Sequence, residues 1–243
     1  MKNLTILGRI FGILFVSILV LSIANALPTG PDGSITPISS SRYSESSAKT
    51  ADAIAGNVTE INLNANAVTQ TWQGYFGNIT GNIVLGDSSN NTFYNWALAN
   101  PKGEIFATKT ASVPAWTSVR CSNVTEISAE DTALGTNESR DSDSINNTFA
   151  ARVHNSFFVG SVSIPQNNCY STNLYNATGA QSVYFKEVLL SDAASHGVIY
   201  TGLLDNNAPG FDGKTHDFQI IVGENGHNGD TTTTPYYFYL ELE

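Results

Sequence analysis

The chain has 243 residues and a formal net charge of −10, an acidity that repels phosphate backbones and argues against nucleic acid as a partner. With 41% hydrophobic residues and only two cysteines, it has the material for one sizeable core, and no compositional break calls for a second.

Residues 1–26 read as a secretory signal. Lys2 and Arg9 precede an apolar run over residues 10–23, and Ala24-Asn25-Ala26 is a small-x-small cleavage site. Cleavage after Ala26 removes two cations and no acid, which moves the formal charge from −10 to −12. The alternative is an uncleaved membrane anchor, since residues 10–27 just reach across a thin bilayer, although the uninterrupted core is shorter than the roughly 20 residues that span comfortably. A pilin-type signal fits less well, because no acid follows within the apolar run. Either way the expected location is extracellular or at the cell surface, with membrane contact only through this segment.

Residues 27–56 form a Ser, Thr, Pro and Gly-rich tether with few bulky apolar side chains, too little to bury and order by itself. A sharper reading is that it orders by adding a strand to the incomplete sheet of a neighbour. The folded domain is expected over residues 57–243.

From Asn57 onward the hydrophobic period is two. Val58, Glu60 and Asn62 alternate with Thr59, Ile61 and Leu63. The next stretch, "TWQGYFGNITGNIVLGD" over residues 71–87, predicts a long core strand with a polar back, bent or bulged at Gly77 and Gly81. Residues 92–98 and 104–108 predict a hairpin across Asn100-Pro101-Lys102-Gly103, a tetrad suited to a type I turn, with Tyr94, Trp96 and Leu98 on one face. Residues 124–135 predict a short helix with Thr or Ser near its start and Gly135 as its cap, and residues 136–147 a polar loop. Strands follow at 157–164, 182–190, 197–204, 217–222 and 236–242. In the last, Tyr236, Phe238, Leu240 and Leu242 face one side, and Tyr237, Tyr239, Glu241 and Glu243 the other. Its expected partner is 217–222, across turns at Asn225-Gly226 and Asn228-Gly229. The sum is an all-β, antiparallel β-sandwich or jelly-roll-like single domain with one short helix.

Cys121 and Cys169 are expected to pair in an oxidising compartment, worth roughly 4 kcal/mol in the chain-entropy model. Seven Asn-x-Ser/Thr acceptors, at Asn57, Asn78, Asn90, Asn123, Asn137, Asn146 and Asn176, mark an exported glycoprotein.

The sequence holds no Gly-x-Ser-x-Gly elbow, no His-Glu-x-x-His, no phosphate loop and no Cys-x-x-Cys, so no catalytic residue is assigned. A glycosidase could still draw its two carboxylates from any strands. In "LDNNAPGFDGKTHDFQ", Asp205, Asn207, Asp212 and Asp217 offer oxygen ligands to calcium, and His216 a nitrogen to a softer metal; the same residue types also serve plain turn chemistry. His154 and His196 read as surface or core residues, whereas His216 and His227 flank one predicted hairpin. Trp72, Phe76, Tyr237 and Tyr239, expected to point away from the main apolar face, are candidates to stack on sugar rings, set against burial under loops.

The segments "WQGYFGNITGNIVLGD", "NTFYNWALANPKGEI", "VRCSN", "GFDGKTHDFQIIVGENGH" and "TTPYYFYLEL" resemble a group of secreted archaeal cell-surface proteins. The resemblance runs from about Trp72 to the C-terminus and is weaker over 125–150. It implies an archaeal envelope or extracellular setting and brings no catalytic residue. The readings in play are therefore a structural or interaction protein of an envelope layer or filament, which self-assembles or meets other envelope proteins; a carbohydrate-binding or adhesion module for surface glycans; and an extracellular hydrolase.

Overall fold

The computed structural model describes residues 27–33, 35–226 and 232–243. The expected signal over residues 1–26, His227 and the Asn228-Gly229 turn lie outside the described residues. The chain is all-β, and every strand pair among the described residues is antiparallel.

The first strands are β1 (Trp72–Gly77), β2 (Asn82–Gly86), β3 (Thr92–Ala97) and β4 (Gly103–Thr108). A 3-10 turn (Trp116–Ser118), β5 (Val119–Cys121), α1 (Val124–Leu134) and α2 (Ile145–Thr148) come next. The rest is strand: β6 (Phe157–Val159), β7 (Val162–Ile164), β8 (Ser171–Tyr175), β9 (Gln181–Asp192), β10 (Val198–Leu203), β11 (Ala208–Pro209), β12 (Thr215–His216), β13 (Phe218–Gly223) and β14 (Tyr237–Leu242).

The central sheet runs β14-β4-β10-β9, and the far edge of the twelve-residue β9 is shared end to end by β5 and β8. Its alternation puts apolar residues on both faces. On one face Ile105, Ala107, Leu189 and Tyr200 meet Ile220 and Val222 of β13 and Ile127, Leu134 and Ile145 of the helices. On the other, Phe106, Val188, Leu190 and Ile199 meet Trp116, Phe157, Val159 and Ile164. The β1–β13 ribbon and the helices thus cover one face, and the β6–β7 hairpin covers the other. The Cys121–Cys169 disulfide forms, with Cα atoms 4.9 Å apart, and ties β5 to the chain entering β8.

α1 starts where the sequence places it, but its N-cap is Asn123: the Asn123 side chain accepts from the Glu126 N–H, and Glu126 accepts from the Asn123 N–H in return. Gly135 closes the helix in the left-handed region at φ 74, a conformation glycine adopts without steric cost. The polar loop after it contains the single turn of α2, capped by Ser144.

Several expected pairings are replaced. Residues 71–87 are not one core strand: β1 ends at Gly77, pairs with β13, and β2 belongs to a separate ribbon with β3. The break is made by Asp217, whose carboxylate accepts from the Ile79 N–H at 2.8 Å and pins residues 78–79 out of the strand. β3 and β4 form no hairpin. β4 is buried on both faces and needs a partner at each edge, which β10 and β14 provide. β14 accordingly pairs with β4, not with the β13 segment, and both of its faces carry core contacts. Residues 157–164 split into a tight hairpin at Gly160, φ 55. Residues 57–63, expected as a strand, lie exposed outside helix and strand.

Candidate functional site

Phe76, near the end of β1, packs edge-to-face on Phe211 and on His216, each 4.9 Å away. Phe76 is 45% and Phe211 48% exposed. Beneath them the Leu204–Gln219 segment is held by its own polar groups. Asp217 accepts from the Asn207 N–H at 2.9 Å as well as from Ile79. Gln219 accepts from the Phe211 N–H and donates to the Tyr175 carbonyl. His216 Nε2 lies 2.9 Å from Asp212 Oδ1. Gly210 has no room for a side chain, since a Cβ there would lie 2.5 Å from His216 Cδ2.

The calcium set proposed from spacing is therefore spent on turn chemistry: both Asp217 oxygens take backbone N–H groups, and Asp212 serves His216 and the Lys214 N–H. Asp205, Asn207, Asp212 and Asp217 do not converge, and among the described residues no group of three or more His, Cys, Asp or Glu is arranged to hold a metal ion.

The aromatic set divides. Trp72 packs on Phe149 and Tyr200, and its indole N–H donates to the Asp143 carbonyl at 2.7 Å, so it belongs to the core rather than to a sugar-stacking face. Tyr239 is buried against Trp116. Both are expected to point outward; Trp72 instead turns from the covering β1–β13 ribbon onto Phe149 and Tyr200, and Tyr239 lies under the second layer on the central sheet. Phe76 and Tyr237 are exposed.

Alternation alone understated a different surface. In the β2–β3 ribbon, Ile83 opposes Trp96 and Leu85 opposes Tyr94, so the four side chains share one face. They are 46%, 50%, 51% and 58% exposed in that order, and the Tyr94 and Trp96 rings lie 4.8 Å apart. Phe93 and Val84 are also exposed. The ribbon root rests on β14, where Gly81 meets Leu242. A groove of ≈ 450 Å³ lined by Asp32, Gly81, Asn82, Val84, Ala97 and Leu98 runs along its base.

The structure does bring carboxylates together, but in the core. Glu104 and Glu241 sit opposite each other on β4 and β14, 4% and 2% exposed. Burial, with the Glu241 and Glu243 charges adding to it, pushes the Glu104 carboxyl up to about 9. Glu241 Oε1 and Oε2 both accept from the Gly160 N–H, and Glu104 Oε2 has no hydrogen-bond partner among the described residues. Sealed in this way, the pair gives no sugar a path to it and supports no glycosidase chemistry. Glu187, also fully buried, is raised well above its usual range by burial, and its Oε2 accepts from the Ile221 N–H. By contrast, burial works against ionisation of Glu126, but Arg120, the Asn123 N–H and His196 outweigh it and hold that carboxyl at about 2.

His154 is a core residue: Nε2 accepts from the Cys169 N–H and Nδ1 donates to the Asn155 carbonyl. His196 lies beside Glu126 and Arg120.

Of the seven glycan acceptors, Asn57, Asn78, Asn90, Asn123 and Asn137 are exposed. Asn176 is half-buried, and its carbonyl oxygen accepts from the Thr178 hydroxyl of the same acceptor triplet. Asn146 differs: its amide nitrogen donates to the buried Asp131 at 2.7 Å.

No helix among the described residues is long and apolar enough to cross a membrane. Comparisons with protein-family models, with curated proteins and with solved structures find no match to this chain.

Proposed function

We propose that the chain is an exported, glycosylated protein of the archaeal cell surface that works by self-association, as a component of an envelope layer or filament. The observation that carries this reading is the β2–β3 ribbon. A two-stranded ribbon alone is marginal in water, and this one holds four large apolar side chains on one face without cover. Contiguous apolar surface of that kind marks an interaction site. The acceptor triplets, the acidic surface, the signal-like N-terminus and the resemblance to secreted archaeal surface proteins support the setting. The test is light scattering and negative-stain microscopy of the purified chain, from micromolar to millimolar concentration. Ordered oligomers are the expected result; a strict monomer throughout, with or without calcium, removes the reading.

A second reading, glycan recognition, is favoured by the exposed Phe76–Phe211 pair beside Asp212 and His216. Aromatic faces flanked by polar groups suit sugar rings. A glycan array with a Phe76→Ala control decides it, and no binding by the parent chain ends it.

A further inference from the structure

We propose that residues 27–32 close the β14 edge of a second copy of the chain, so that copies are linked head to tail by exchanged segments. This rests on the self-association reading and names its mechanism.

β14 is an edge strand. β4 takes one side, and on the other the Leu240 N–H and C=O are both bonded to Thr29, at 2.8 and 2.9 Å. Phe238 and Leu242 present their backbone groups on the same side by strand alternation, and no backbone partner takes them there among the described residues. An edge left open in this way is a template for another chain. The segment that meets it is short because Pro31, the next residue to face the edge after Thr29, lacks the N–H a longer ladder would need.

The contact is nonetheless a built seat. Pro28 is buried. Leu27 lies over Gly160, where a Cβ would come within 2.6 Å of Leu27 Cδ2. The Gly160 N–H is the same group that holds the buried Glu241 carboxylate. A bare turn shaped to receive one leucine is more than a chance covering of an edge.

Between this seat and Thr69 no hydrogen bond among the described residues ties the chain to its own body. Residues 35–67 are exposed and outside helix and strand. Their hydrogen bonds, Asn57 N–H to the Ile54 carbonyl, Asn66 to the Tyr43 hydroxyl and Val68 N–H to the Glu45 carboxylate, stay within residues 43–68; the first bond to the body among the described residues is that of Thr69 with Asp143. A flexible linker of about 40 residues has a root-mean-square span of about 35 Å and a contour above 100 Å. Its own segment is then present at an effective concentration of about millimolar, which neighbours on a crowded surface match. Asp32 lines the groove at the base of the ribbon together with Asn82, Val84 and Ala97, on the ribbon face opposite Ile83, Leu85, Tyr94 and Trp96, so an incoming tether lies along the back of the ribbon and leaves its apolar face open to a neighbour. The interface is heterologous, so where the exchange is not reciprocal between two copies it extends into a chain of subunits.

The test uses two full-length variants, Thr29→Cys and Leu240→Cys, mixed and oxidised. Exchange predicts a disulfide-linked dimer joining position 29 of one copy to position 240 of the other, and a ladder of covalent oligomers from the double variant. Leu27→Asp, placed on a half-exposed side chain, is expected to lower the cross-link yield about tenfold while leaving the melting curve in place. If the double variant links only within single chains while scattering still reports oligomers, exchange is overturned and self-association stands. A strict monomer overturns both.

Discussion

Two hairpins hang from the same central sheet and meet opposite fates. β6–β7 is three residues per strand, yet it buries Phe157, Val159 and Ile164 against Phe106, Trp116 and Tyr239. β2–β3 is longer and richer in large apolar side chains, yet every one of its residues is exposed. Apolar content therefore does not decide which hairpin belongs to the core; the availability of a facing layer does. The short hairpin seals the sheet face that carries the Glu104–Glu241 pair, while the long one extends from its root at Leu242 with no layer over it among the described residues. The difference separates residues that hold the monomer together from residues that a second molecule would need.

The largest effect should come from breaking the sealed side. Phe157→Ala removes a side chain from a close-packed cluster and is expected to cost about 3–5 kcal/mol, a fall of about 10 °C or more in Tm for a chain of this size. Phe93→Ala on the ribbon, at an 84% exposed position, should stay within about 0.5 kcal/mol. Urea melts of the two variants side by side are the check. Equal destabilisation would mean that the ribbon is packed in the monomer after all.

Next comes the reverse experiment. Leu85→Ser with Trp96→Ser is expected to leave the Tm within a few degrees and to abolish oligomers in light scattering. Loss of fold in place of loss of assembly would erase the distinction between the hairpins.

Part of this division was legible in the residues. Period-two alternation located most of the central strands, the Gly135 cap ended the helix on time, and two cysteines in a chain with a signal-like start were enough to pair. What alternation cannot show is which strand takes which neighbour. The tetrad Asn100-Pro101-Lys102-Gly103 has the chemistry of a tight turn, but β4 is buried on both faces and is claimed by β10 and β14 across long stretches of chain. Asp217 reads as a calcium ligand from composition, whereas its partner Ile79 lies 138 residues away, a distance no local pattern spans. Alternation with one wet face points Tyr239 outward, but the second covering layer is a hairpin hidden in one apparent strand; Trp72 lies on the other side, drawn in by Phe149 and Tyr200. Gly160 was that hairpin's signal, a lone glycine inside an apolar run.

The sealed acids give a smaller, pH-dependent readout of the β6–β7 side. Glu104 titrates at about 9 in the folded chain against a usual 4.5, so its protonated form is the one the fold favours. Its contribution is full below about 4.5 and is lost as pH rises through 9. Glu126, held at about 2 on the helix side, has the opposite sign: its contribution is present above 4.5 and is lost as pH falls toward 2. Glu104→Gln should therefore flatten the decline of Tm between pH 5 and 9 and raise Tm at pH 8, leaving the acid limb unchanged. An unaltered alkaline slope would show that Glu104 is not the group sealed beneath the hairpin.

The smallest effect tests whether the body and the ribbon also differ as glycan carriers. Asn78 and Asn90 lie exposed at the root and tip of the β2–β3 arm, so a glycan there displaces only water. Asn146 lies against the helices, where its amide nitrogen is shared between Asp131 at 2.7 Å and the Ser128 hydroxyl at 3.4 Å. The same Asp131 carboxylate also takes the N–H groups of Ile145 and Asn146. Modification at Asn146 would substitute the nitrogen that serves a buried carboxylate, leaving an acceptor short of a donor at a cost of about 1–3 kcal/mol. Glycopeptide mass spectrometry of the chain from a host with the transferase should find Asn78 and Asn90 occupied and Asn146 bare. Full occupancy at Asn146 would mean that α2 docks only after the glycan is added, and that this side of the core is looser than the side sealed by β6–β7.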